Sequence, residues 1–78
     1  MRNLKLIWDF KGPDALITAQ HHEIHLKQYI EREKAPVTIT GVETLNEMHS
    51  IAFLVVREDN MKPIRDAIKP HRAQVYMQ

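Results

Sequence analysis

The sequence predicts a single α+β domain of the order βαββαβ, and three observations predict it. Strand-like segments flank two helical segments in that order; the first and third strands are the most apolar; the second and fourth are polar enough to lie at sheet edges. Seventy-eight residues also make one domain, near the low end of what buries a self-sufficient core.

The first strand is "LKLIWDF" (Leu4 to Phe10), which alternates Leu4, Leu6, Trp8 and Phe10 on one face with Lys5, Ile7 and Asp9 on the other. "KGP" then breaks the chain. Pro13 suits a first helical turn, where its missing N–H costs nothing, and Asp14 adds a favourable charge there. From Pro13 to about Lys34 nothing breaks a helix, and Ala15, Ala19, Leu26, Tyr29 and Ile30 fall on one stripe. Glu23 with Lys27, and Lys27 with Glu31, make i,i+4 pairs beside it. Ala35-Pro36 ends the segment.

"VTITGVETL" (Val37 to Leu45) is rich in β-branched residues but only partly apolar, "NEM" supplies a turn, and "HSIAFLVVR" (His49 to Arg57) is a continuous apolar strand. "EDN" offers an N-cap for a short helix from Met61 to Lys69 with Met61, Ile64, Ala67 and Ile68 inward, and Pro70 stops it. "RAQVYMQ" closes the chain as a strand. Thr38, Thr40, Thr44, Gln74 and Gln78 mark the second and fourth strands as edges. The layout is ferredoxin-like: one four-stranded antiparallel sheet over residues 1–78 with two helices on one face.

"IAFLVV" is apolar on both sides, yet the helices cover one face only. The open face, carrying either Ile51, Phe53 and Val55 or Ala52, Leu54 and Val56, with Ile7 beside it, is expected to be an apolar patch. A homodimer that pairs two open faces would bury it. A domain without a disulfide staple also gains burial by oligomerising; there is no cysteine. Through "LKLIWDF", the long helix, "HSIAFLVVR" and "RAQVYMQ" the chain resembles the dimeric α–β barrel superfamily, whose small domains pair two ferredoxin-like sheets. That resemblance implies a homodimer. The superfamily spans cofactor-independent monooxygenases, isomerases, dechlorinating or dehydrating enzymes and uncharacterised proteins, so it implies no one reaction.

A net charge of +1, with lysines and arginines dispersed among acids, removes the electrostatic footprint of a nucleic-acid binder. An RNA-binding sheet of this fold displays aromatics on its open face, and this one offers at best Phe53. The apolar run in "MRNLKLIWDF" is interrupted by Lys5 and Asp9, so neither a signal peptide nor a membrane span is expected, and the cytoplasm is the default. No cofactor is expected: "KGP" lacks the glycine run and Lys-Ser/Thr pair of a phosphate loop.

Three of the five histidines lie in "HHEIH", residues 21–25. His21 and His25 have the i,i+4 spacing of two zinc ligands, but the helical zinc-hydrolase pattern H-E-x-x-H fails because Leu26 occupies its second histidine position. No third ligand is near in sequence, so no metal site is expected. Thr18, His22, His25 and Tyr29 line one flank of the apolar stripe, where a helix–sheet cleft would hold two imidazoles and a phenol beside Trp8 or Phe10. The plainer reading is that His22 packs semi-buried and Tyr29 is core with a wet hydroxyl.

The topology assembles a second group. Asp9 ends the first strand, His49 begins the third, and His71 and Arg72 precede the fourth; all four lie at one end of the sheet. Antiparallel pairing puts Asp9 alongside Ser50 or His49. An aspartate bonded to an imidazole orients it as a base, while ordinary strand-end charges are the alternative. "KPHR" (Lys69 to Arg72) is a small basic cluster suited to an anion or to a solvated turn. Ile17 and Ile24 lie opposite the core stripe and are expected in solvent. The expectation is a small dimeric domain that binds a small molecule in a helix–sheet cleft with histidine acid–base chemistry, the candidates being His22, His25, Tyr29, Asp9 and His49. The alternative is a non-catalytic sensing or structural module whose histidines only pack. The sequence does not decide whether the chain is an enzyme.

Overall fold

The computed structural model describes residues 2–37 and 39–76. In chain order the elements are β1 (Asn3–Lys11), α1 (Ala15–Glu33), β2 (Ile39–Asn46), β3 (His49–Arg57), a single 3-10 turn at Glu58–Asn60, α2 (Met61–Ile68) and β4 (Arg72–Val75). The sheet runs β2-β3-β1-β4 with every neighbouring pair antiparallel, so the two most apolar strands are central. This is the ferredoxin-like βαββαβ fold.

The expected edges carry Thr40, Thr44 and Gln74; Thr38 and Gln78 lie outside the described residues. α1 begins at Ala15 rather than Pro13, because Asp14 has φ −102° and ψ 15° and stands outside the helix. Asp14 still serves the first turn through its carbonyl, which accepts the Thr18 main-chain N–H and the Thr18 hydroxyl, each at 3.0 Å. "EDN" winds a 3-10 turn instead of donating a side-chain cap. β4 pairs with β1 only from Arg72 to Val75, after which the Tyr76 N–H still reaches the Asn3 carbonyl at 2.8 Å.

The helices choose the face of β3. Leu6, Trp8, Ala52, Leu54 and Val56 pack against Ala19 and Leu26 of α1 and Ile64 of α2, with Phe10, Val42, Met61 and Ile68 around them. Ala67, expected inward, is exposed, since the short α2 rests on the narrower row Met61, Ile64 and Ile68. The Trp8 indole N–H donates to the Ile68 carbonyl at 3.3 Å, tying β1 to the end of α2.

Ile7, Ile51, Phe53 and Val55 therefore occupy the open face. Ile7, Ile51 and Val55 are only 1%, 3% and 4% exposed although no helix lies over them. Register explains the shielding. Ile7 is framed by Lys5 and Asp9 on its own strand, by Phe53 across β3 and by Arg72 across β4. Phe53 lies over its paired residue Gly41, where a Cβ would stand 2.6 Å from the ring carbon Cζ. The Lys5 ammonium sits 4.2 Å from the centroid of the same ring and reaches Glu43 on β2 at 3.2 Å. Long polar side chains thus roof the apolar floor that the sequence shows as bare.

Candidate functional site

The chemistry-bearing side chains gather at one end of the sheet, where β1 finishes and β3 and β4 begin. They divide between the two faces, because neighbouring strand residues point to opposite sides.

On the open face the centre is Asp9. The β1–β3 register sets Asp9 opposite Ile51, so His49, two residues earlier on β3, is its diagonal neighbour on the same side. His49 Nε2 lies 2.8 Å from Asp9 Oδ1. Ser50 points to the other face, buried, with its hydroxyl 3.5 Å from that of Thr44. Arg72 of β4 pairs with Ile7 of β1 and reaches Asp9 diagonally from the opposite side. Its Nε donates to Asp9 Oδ2 at 2.9 Å and its Nη2 to Oδ1 at 3.1 Å, a two-pronged grip on the carboxylate.

The Arg72 guanidinium, opposed by partial burial and assisted by the His49 bond, holds the Asp9 carboxyl down to about 2 from an ordinary 3.8. Asp9 is then ionised at neutral pH and can only accept. In the neutral His49 ring the proton consequently sits on Nε2, leaving a lone pair on Nδ1. A carboxylate that fixes the tautomer and direction of an imidazole is the arrangement a general base needs.

On the helix side, His22 of α1 packs against two rings of β1, with centroids 4.9 Å from Trp8 and 5.4 Å from Phe10. Its Nε2 is buried without a hydrogen-bond partner. Burial first, then the charges of His25 and His71, push its pKa below 6.5. His71 approaches from beyond α2, its ring centroid 6.2 Å from that of Phe10. The rings fill the gap between helix and sheet, and no enclosed pocket forms among the described residues.

The row Thr18, His22, His25 and Tyr29 is not joined by hydrogen bonds among the described residues. The Thr18 hydroxyl is spent on Asp14, His25 is exposed, and Tyr29 is half-buried with the Arg32 guanidinium 5.8 Å from its ring centroid. His21 and His25 are both exposed, and among the described residues no three His, Asp or Glu side chains come together as a metal would require. Among the described residues no helix is long and apolar enough to cross a membrane.

Two contributions were not read from the sequence. "KPHR" shows only a basic cluster, yet Arg72 is the clamp on Asp9. His71 Nδ1 also accepts the Asp9 main-chain N–H at 2.9 Å. Both depend on where β4 starts against a strand some sixty positions away, which no local pattern encodes.

Comparison of the chain with protein-family models, with curated proteins and with solved structures finds no match.

Proposed function

We propose that this chain is a small homodimeric domain, as the dimeric α–β barrel resemblance implies, and that it binds a small molecule on its open sheet face and moves a proton with His49. One observation carries the reading: the Asp9–His49 contact at 2.8 Å, with Asp9 gripped from its other side by Arg72. Asp9 of β1, itself held by Arg72 of β4, thus orients the imidazole of His49 on β3. A second copy laid over the open face would close the site from above and exclude water from it. Neither a cofactor nor a metal has a part in this scheme.

The test uses diethyl pyrocarbonate, which acylates the unprotonated imidazole nitrogen. Mapped by mass spectrometry at neutral pH, His49 should react faster than the exposed His21 and His25, and Asp9→Asn should remove that advantage. A His49 that reacts more slowly than both would overturn the assignment. A non-catalytic module is the second reading, and the packing of His22 between Trp8 and Phe10 favours it for the helix-side cluster. We assign His22 to that structural role.

A further inference from the structure

β4 does not extend far enough to complete the sheet at Asp9. The register that pairs Ile7 with Arg72 would set Pro70 opposite Asp9, and there the chain has already turned away through Lys69, which has φ 47°. The Asp9 N–H faces β4 without a main-chain carbonyl to meet it. The His71 ring takes the carbonyl's place, its Nδ1 accepting at 2.9 Å, while the His71 N–H donates to the Ile7 carbonyl at 2.9 Å. One residue, by ring and backbone, pins the start of β4 to β1.

This pin works in one protonation state only. A neutral imidazole with its lone pair on Nδ1 accepts the bond, whereas a proton on Nδ1 sets N–H against N–H. His71 is exposed, so solvent protons reach it. The groups around it favour ejection once it is charged. Lys69 and Arg72 flank it in sequence, and His22 of α1, whose charged form the nearby His25 and His71 both disfavour, faces the same corner. From β1 the neutral rings of Trp8 and Phe10 face His22, and Phe10 also faces His71. The one carboxylate of the cluster, Asp9, is already gripped by Arg72 and His49.

We propose that His71 is an acid-released latch: its protonation frees the start of β4 from β1 and so withdraws Arg72 from Asp9. The rest of the sheet stays paired, because β1 and β3 are joined along their whole length. The latch stands whether or not His49 is a base, since it concerns the pairing of β4 alone.

Amide hydrogen exchange of the intact chain, corrected for the intrinsic effect of pH, tests this. Between about pH 7.5 and about pH 5.5, protection of the Asp9 and His71 amides should fall about tenfold. The Gly12 amide, bonded to the Met48 carbonyl at the same end of the sheet, should keep its protection. His71→Asn offers an oxygen near the Nδ1 position and cannot be protonated, so it should hold Asp9 protected at both pH values. His22→Phe removes one facing charge and should move the wild-type release to lower pH. Protection at Asp9 that ignores pH in the wild type, or that falls as much in His71→Asn, would overturn the latch. So would a fall shared equally by Gly12, which would mean general unfolding.

Discussion

At Asp9 and His22 the two faces of β1 carry opposite electrostatic problems, and each yields a pH signature. Asp9 is a carboxylate whose folded pKa lies below its ordinary value, so its contribution to stability is present above about pH 4 and lost as pH falls toward about 2. Asp9→Asn should cost about 1 kcal/mol at neutral pH, little because Arg72 is substantially exposed, and should flatten that acid limb of a denaturation series. An unchanged acid limb would show that the grip is not formed in solution. His22 has the opposite charge type: its folded pKa is lowered, so the unfolded chain holds the proton more tightly. Stability should decline as pH falls below 6.5. Replacing His22 by Phe removes a buried, partnerless nitrogen while keeping a ring beside Trp8. It should stabilise the fold by about 1 kcal/mol at neutral pH and by more at about pH 5.5. A loss of stability in that variant would place a water or partner on Nε2. The sequence made the Asp9–His49 neighbourhood legible, since strand order alone brings those ends together. It hid which residue faces Asp9, because a shift of one position exchanges Ser50 for His49.

The elements end where backbone conformation decides, and apolar periodicity is silent about that. α1 and α2 both close on a lysine in the left-handed region, Lys34 at φ 51° and Lys69 at φ 47°, each donating its N–H back into the last turn. A side chain there costs roughly 1–2 kcal/mol, which glycine avoids at the expense of a more flexible unfolded chain. Lys34→Gly should therefore raise stability by about 0.5 kcal/mol, read as a higher urea midpoint at constant slope. Gly41 is the converse case. Its missing side chain is the seat of the Phe53 ring, and Gly41→Ala should push that ring off β2 and away from its place beneath Lys5, costing about 1 kcal/mol. Strand periodicity gave no hint of this stack, because Gly41 and Phe53 meet only through the β2–β3 register. By contrast most of the α1 stripe was legible: Ala15, Ala19 and Leu26 are buried, Tyr29 and Ile30 at its end are only half-buried, and Ile17 and Ile24 stand exposed on the far side.

Across the whole molecule, the accessible surface of 5195 Å² is near the roughly 4,900 Å² that a folded monomer of this mass shows. The strand order that produces the fold was legible from the polarity of four short segments. The shielding of the open face was not, since it depends on Lys5, Glu43 and Arg72 crossing between strands. The proposed dimer must accordingly form over a floor of Ile7, Ile51 and Val55 that its own side chains already dry, with Phe53 at its centre and ion pairs at its rim. Such a surface associates by shape more than by hydrophobic area. Phe53→Lys places a second ammonium beside Lys5 at that centre and should leave a folded monomer, with helix signal retained and sedimentation halved in mass. A wild-type chain that sediments as a monomer at micromolar concentration and low salt would remove the dimer. His49 would then face open solvent, and any chemistry it performs would have to proceed without an enclosed site.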